Sequence, residues 1–254
     1  QIIIPVYNCE KYITECVDSV LGQKTEYSYF INVVDDGSKD HTLDALKKYD
    51  DNERVRVISR ENGGSAKARN TGFEIIEANY IMFIDSDDFL PEGAIQKLVS
   101  KAYSEDADLV FGSFEKLIDE QKIASQYKNY ASAESDISKI TGFPWGKVYK
   151  NQLFKNVIFL EDYWFEDTII RFLILTRAKK AYYIPDNVYE YRILNNSISH
   201  DIKGNPRNIE TIWVTEIILE ACRKLNIPFD KVLLNALLGQ AVVNGRRLSG
   251  LKND

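Results

Sequence analysis

From its start to Ala102 the chain alternates four times between a short apolar, β-branched run and a stretch with helical spacing. The runs are residues 1–5 (QIIIP), Tyr29 to Val34, Arg54 to Ser59 and Tyr80 to Ile84. Helical spacing follows over Glu10 to Leu21, Asp40 to Tyr49, a stretch beginning near Ser65, and Glu92 to Ala102. In the first of these Ile13, Cys16, Val17, Val20 and Leu21 share one face. Strand and helix in strict alternation demand a parallel sheet with right-handed crossovers. Strands apolar on both faces are buried, and such a sheet meets solvent at its strand ends. Three of the four runs here end in polar clusters. Pro5 is expected to stop the first strand, and Asp40 to cap the second helix.

The last run carries the densest chemistry, YIMFIDSDDFL over Tyr80 to Leu90. In an extended segment residues two apart point the same way, so Asp85 and Asp87 can converge on one point. Two carboxylates that close repel unless a proton or a cation separates them, and a hard divalent cation bridging to phosphate oxygens resolves the conflict. The plainer alternative is an acidic helix entry capped by Asp88 or Ser86. Neither G-x-G-x-x-G nor G-x-x-x-x-G-K-[ST] occurs, so a nucleotide here must be held by carboxylates, a metal and strand-end loops.

The remaining sequence is less regular. Asp108 to Phe114 reads as a fifth strand, and Glu115 to Ile140 as a polar, weakly patterned excursion. Gly142 to Tyr149 is aromatic and punctuated by glycine. Ile169 to Leu175 is apolar nearly all round, which predicts a buried helix, with Glu166 and Asp167 at its start. Two strands, Ala181 to Ile184 and Val188 to Ile193, lead to Asn195 through His200, and two helices follow Asn205. The expected organisation is a nucleotide-binding half over 1–114, a second half of the same domain over 115–204, and a helical segment over 205–254.

With a formal net charge of −6 the chain lacks the basic excess of a nucleic-acid binder. Its Cys9, Cys16 and Cys222 have no metal-ligand spacing and are expected to be reduced thiols of a cytoplasmic protein. No apolar run approaches the ~20 residues of a membrane span, and with Gln1 opening directly into a strand no signal peptide is expected. Membrane contact is therefore expected to be peripheral at most, at the inner face of the cell membrane.

IIIPVYN, VVDDGSKDHT, ENGGSAKARNTG and FIDSDDFL, in this order and spacing, resemble glycosyltransferase family 2, the large family of inverting enzymes dependent on nucleotide sugars. WFEDT and YEYRILNNSIS are similar to members that build bacterial surface and exopolysaccharides. The likeness covers about residues 1–200. It implies an α/β protein of the GT-A fold, with a mostly parallel central sheet flanked by helices and a C-terminal helical segment. It also implies transfer of a sugar from a nucleotide diphosphate sugar, expected to be UDP-linked, to a hydroxyl of a saccharide or lipid-linked acceptor.

Particular residues follow from the resemblance. Pro5 and Tyr7 fall in the region that cradles the nucleobase, where Tyr7 offers a flat face. Asp36 is assigned to the imide N–H of uracil. Gly64 and Arg69 meet the anionic part of the donor, a role that a helix N-terminus beside Gly63-Gly64 suits. Asp85 and Asp87 match the family's D-x-D, which implies Mn²⁺ or Mg²⁺ with Asp87 as ligand and Asp85 toward the ribose or a metal-bound water. Asp167 is assigned as catalytic base, with Glu166 as an acceptor-binding alternate. Taken without the likeness, that acidic pair reads as helix-dipole stabilisation. Arg192 is a candidate for the diphosphate, and His200 for the metal. Trp164 is a candidate acceptor platform, whereas Trp145 reads as packing.

Two other readings stay open on the sequence. A sugar nucleotidyltransferase shares the architecture, but residues 5–12 lack its glycine-rich basic phosphate loop. A non-catalytic sugar-nucleotide-binding module has no need of a base at Asp167.

Overall fold

The four apolar runs form the parallel heart of one sheet. In the computed structural model, which describes residues 1–118, 121–125, 140–194, 204–249 and 251, they are β1 (Ile2–Val6), β2 (Ile31–Asp35), β3 (Val55–Ser59) and β4 (Tyr80–Phe83). The helices between and after them are α1 (Ile13–Leu21), α2 (Thr42–Leu46), α3 (Ser65–Phe73) and α4 (Ala94–Ser104). Next come β5 (Leu109–Ile118), β6 (Gln121–Ser125), β7 (Lys147–Lys150), β8 (Ala181–Arg192), α5 (Glu210–Lys224) and α6 (Lys231–Leu248). The sheet runs β3-β2-β1-β4-β7-β5-β6, and β8 pairs in parallel along β5. β7 is antiparallel to both β4 and β5, which brings the second half of the chain onto the sheet of the first.

Alternation along the strands divides the interior. Ile2, Ile4, Val6, Met82 and Ile84 face α1 and α4, whereas Ile3, Ile81 and Phe83 face α3, α5 and α6. Helices on both faces make a parallel sheet stable because neither side has to meet water. α5 and α6 share this second core through Val214, Ile218, Leu233 and Ala236.

Several expectations need revision. Pro5 does not stop β1 but lies buried within it, opposite Val34. Its missing N–H is tolerated because β1 pairs with β4 only at Ile2 and Ile3, so the β4 ladder has ended before Pro5. The 115–140 excursion is not irregular throughout: β5 continues to Ile118 and turns back antiparallel as β6. The line drawn at 114/115 therefore passes through β5. The two strands expected over 181–193 are one, β8, whose extra residues shift its register against β5 on either side of Ser113, next to Gly112. A Cβ there would lie 2.6 Å from Val188 Cγ2, so only glycine admits the shift in register.

The stretch expected as a buried helix winds as a π turn, Ile170–Ile174, followed by a tighter turn, Leu175–Arg177. The wider turn lets Ile170, Phe172, Leu173 and Ile174 all reach the interior rather than a single face. All three cysteines are free and buried. Trp145 is packed as expected, stacked between Phe143 and Tyr189. Among the described residues no helix is long and apolar enough to cross a membrane.

Candidate active site

The carboxyl ends of β1, β2 and β4 open side by side. Tyr7, 45% exposed, follows β1 directly. Its loop is tied to the loop after β2, where the Asn8 N–H donates to Ser38 Oγ at 2.9 Å, Lys39 N–H to Asn8 Oδ1 at 2.8 Å and Glu10 N–H to Asp40 Oδ2 at 3.1 Å. Gly37 is required in that loop: φ is +72°, and a Cβ would lie 2.8 Å from Asn62 N. Asp40 also accepts Thr42 N–H at 3.0 Å, at the entry to α2.

Asp36 is buried beneath these loops. Its carboxylate accepts Arg60 Nη1 at 2.5 Å, Gly63 N–H at 3.0 Å and Gly64 N–H at 2.6 Å. The expected contact with a base N–H would add a further donor to a carboxylate already engaged by three. What Asp36 does in the protein is fix the Gly63-Gly64 turn at the start of α3.

In the D-S-D-D turn three carboxylates have three environments. Asp88 is fully buried, accepting Tyr189 Oη at 2.7 Å and Arg192 N–H at 2.7 Å, so it anchors β8. Burial, with the charges of Asp87 and Asp85, pushes it well above the usual carboxylate range. It caps no helix, since α4 begins beyond Gly93. Asp85 is half-buried and pairs with Arg69 Nη2 at 3.1 Å. Asp87 is half-buried and, among the described residues, has no ion-pair partner. Burial and the neighbouring Asp85 push it up to about 6.

Arg69 spans the cleft. It is 6% exposed, lies over the Phe159 ring at 5.4 Å, and donates through Nη1 to Glu166 Oε1 at 2.9 Å while Nη2 holds Asp85. Ser65 Oγ donates to the same Glu166 oxygen. Glu166 and Asp85, far apart in sequence, are thereby joined through one guanidinium. Asp167 beside them is half-buried, and its carboxylate accepts no hydrogen bond among the described residues. Burial and then the Glu166 charge push it up to about 6, with Arg69 and Arg247 opposing. A carboxylate free of partners, in a cleft and poised near neutrality, is suited to accept a proton.

Arg192 is not free for a diphosphate. It is buried, pairs with Glu15 at 2.6 Å, donates through Nε to the Asp87 carbonyl at 2.9 Å, and covers the Tyr12 ring at 4.7 Å. It therefore fastens the D-S-D-D turn to α1. Trp164 is half-buried with Arg207 over its ring at 5.0 Å. His200 lies outside the described residues. Sequence reasoning missed Arg60, Ser65 and Arg247. Ser65 stands within ENGGSAKARN and Arg60 immediately before it, so both were within reach, whereas nothing in NGRRL marks Arg247.

Among the described residues no three His, Cys, Asp or Glu side chains gather as a metal cage. The pair that remains, Asp85 and Asp87, fits a divalent cation that takes the rest of its shell from phosphate and water. The charge repulsion at Asp87, which the Arg192 charge only partly offsets, is the observation that supports the fit.

The sequence model of Glycosyl transferase family 2 matches residues 1–165. The chain belongs to this family. It is 31% identical to glycosyltransferase GlyG of Streptococcus pneumoniae over 249 residues, 89% of this chain and 79% of that protein. It is 30% identical to GlyA of the same organism over 78% of this chain but only 31% of GlyA. The chain thus spans less than a third of one relative and about four-fifths of the other. Among solved structures it resembles S. aureus TarS 1–349 in complex with UDP-GlcNAc, with a TM-score of 0.77 and 22% identity over 98% of this chain and 72% of that one. It also resembles the mannosyltransferase PcManGT from Pyrobaculum calidifontis in complex with GDP-Man and Mn²⁺, with a TM-score of 0.60 and 17% identity, covering 100% of this chain and 75% of that one. The α/β architecture is that of GT-A glycosyltransferases.

Proposed function

We propose that the chain transfers a sugar from a nucleotide diphosphate sugar, UDP-linked, to a hydroxyl of a saccharide or lipid-linked acceptor, with inversion. The observation that carries this reading is Asp167: an unbonded carboxylate near neutrality, one residue from a glutamate that Arg69 links to the D-x-D pair. Family membership supports the reaction class. The UDP-GlcNAc bound to TarS supports the donor, and the Mn²⁺ of PcManGT supports the metal.

In this mechanism Tyr7 stacks against the base at the β1 end. The N-terminus of α3, set in place by the Gly63-Gly64 turn that Asp36 holds, faces the anionic donor. Asp87 and Asp85 would hold Mn²⁺ or Mg²⁺, which when bound would supply Lewis-acid charge to the departing diphosphate. Asp167 takes the proton of the acceptor hydroxyl as its oxygen bonds to the anomeric carbon. The bond from that carbon to the diphosphate breaks on the opposite face, and the nucleoside diphosphate leaves with the electron pair. One base suffices for a single displacement. Arg69 keeps Glu166 and Asp85 apart in charge and fixed in place.

Calorimetric titration of UDP with and without Mn²⁺, beside a transfer assay, tests this. Asp87→Asn is expected to abolish the Mn²⁺-dependent part of UDP binding. Asp167→Asn is expected to bind UDP as the unmodified protein does and to lose transfer by roughly 10²–10⁴-fold. Full turnover by Asp167→Asn moves the base elsewhere, and metal-independent binding removes the cation from the mechanism.

A further inference from the structure

The turn that presents Glu166 and Asp167 is held in an unusual conformation. Phe165, immediately before them, has φ +68°, and Asp162 has φ +69°. A bulky aromatic in the left-handed region is a true outlier, retained only where its surroundings impose it. Here the surroundings come from the far end of the chain. Arg247 of α6 lays its guanidinium on the Phe165 ring, the central carbon 3.4 Å from the ring centroid.

Arg247 is itself clamped. Its Nη1 donates to Thr211 Oγ1 at 2.8 Å, Thr211 Oγ1 donates to Asn244 Oδ1 at 2.6 Å, and Gln240 Nε2 donates to the same oxygen at 2.8 Å. Asn208 Nδ2 reaches the Arg247 carbonyl at 3.2 Å. Thr211, Asn208 and Gln240 are buried. Polar groups buried between two helices are costly unless hydrogen-bonded, and Thr211 and Gln240 meet that need through Asn244 and Arg247. α6 also grips the chain just after the acids. A Cβ at Gly239 would stand 3.1 Å from Arg171 Nη2, so glycine there allows α6 to lie close to the π turn. The helix therefore meets the chain on both sides of the acidic pair, at Phe165 and at Arg171.

We propose that Arg247 is a positioning residue for the base: stacked on Phe165, it holds the left-handed turn that aims Glu166 and Asp167 into the cleft. The inference rests on Asp167 being the base. It makes α5 and α6 part of the catalytic unit, although the sequence after residue 205 carries little of the family pattern. The groups facing Asp167 are Glu166 beside it, Arg69 of α3, Asp85 of the D-x-D turn and Arg247 of α6. Arg247 is one of the two cations among them, and its charge favours the ionised carboxylate.

The test measures transfer against pH and UDP affinity for Arg247→Met, Arg247→Lys and Phe165→Gly, with Asp167→Asn as reference. Arg247→Met is expected to lower kcat by about tenfold or more with the UDP Kd within about twofold. Its rising acid limb moves up by about half to one pH unit, because an opposing charge is gone. Arg247→Lys restores the limb but not the full rate, since ammonium keeps the charge without the planar stack. Phe165→Gly accepts the left-handed conformation without strain and removes the stack. It is expected to fold and lose kcat, and combining it with Arg247→Met adds little further loss. Unchanged kcat and limb in Arg247→Met overturn the proposal. Should that variant fail to fold, unchanged kcat in Phe165→Gly overturns it instead. An inactive Asp167→Asn beside a normal Arg247→Met refutes Arg247 alone, whereas an active Asp167→Asn refutes the base.

Discussion

Arg69→Met asks how much of the site's integrity depends on one buried cation. The guanidinium side chain is 7% exposed and pairs with Asp85 at 3.1 Å and Glu166 at 2.9 Å, whose side chains are 31% and 18% exposed. Methionine keeps most of the volume and removes the charge, so the loss is electrostatic rather than a cavity. Breaking a fully buried pair costs about 3–5 kcal/mol, because the remaining charge is left dry. Both carboxylates here retain some solvent, and Asp85 the more, which discounts the cost to roughly 2–3 kcal/mol. For a chain of this size that is a fall in Tm of roughly 5–10 °C. Glu166→Gln in the same background removes one of the two stranded charges and should return about half of the loss, giving a coupling of about 1 kcal/mol or more in a double-mutant cycle. Denaturant unfolding of the four proteins measures it. An Arg69→Met variant within about 0.5 kcal/mol of the parent, or a Glu166→Gln that returns nothing, refutes the view that Arg69 neutralises both walls of the cleft.

Other perturbations follow from the same geometry. Transfer should rise about tenfold per pH unit below about 6 and level above it, as Asp167 loses its proton, and a pH–rate profile with no limb in that range contradicts the assignment. The same raised value has a stability sign. The folded carboxyl holds its proton more tightly than the unfolded one, so its contribution is full below about 3.8 and is lost as pH rises through about 6. Asp167→Asn should therefore stabilise the protein by about 1–2 kcal/mol at pH 7.5 and hardly at pH 4, as thermal melts at the two pH values will report. Asp36→Ala strands the Gly63 and Gly64 N–H groups and Arg60. It should cost about 2–3 kcal/mol in denaturant and weaken UDP and pyrophosphate alike by calorimetry, because both ligands reach that turn. Gly72→Ala puts a Cβ 2.6 Å from Ile3 Cγ2, where α3 crosses β1, and should destabilise by about 1–2 kcal/mol despite alanine's better helix propensity, again by denaturant unfolding.

The first half of the fold was legible because its signals are local. A buried strand needs consecutive apolar residues, and an amphipathic helix needs them three and four apart, so β1, β2 and β4 and helices α1 and α4 declare themselves within short windows. The π turn was not legible, because its apolar residues suit a buried α-helix equally well. β6 was missed because it lies in a polar, weakly patterned stretch of sequence. Arg192 illustrates the other limit. Its partner Glu15 is 177 residues away, and only the path of β8 beside the D-S-D-D turn brings them together. Arg247 is more remote still from any motif, and its place depends on two helices docking beside the π turn.

The D-S-D-D turn holds the sharpest case. Asp85, Asp87 and Asp88 are identical in kind and nearly adjacent, and alternation alone picks out the first two. What separates their roles is the surroundings each one meets. Asp88 turns inward and is consumed by Tyr189 and the Arg192 backbone, an arrangement useless for a ligand but decisive for aiming the other two. Asp85 is neutralised by Arg69. Asp87 is left with burial and repulsion that the Arg192 charge only partly offsets and, among the described residues, no ion-pair partner, which makes it the carboxylate with most to gain from a bound cation. The ordering is testable within one turn: Asp88→Asn should cost more stability than Asp87→Asn, because it weakens two buried hydrogen bonds, while Asp87→Asn should cost more Mn²⁺-dependent UDP affinity. The reverse ordering in paired melts and titrations would assign the metal to the wrong carboxylate.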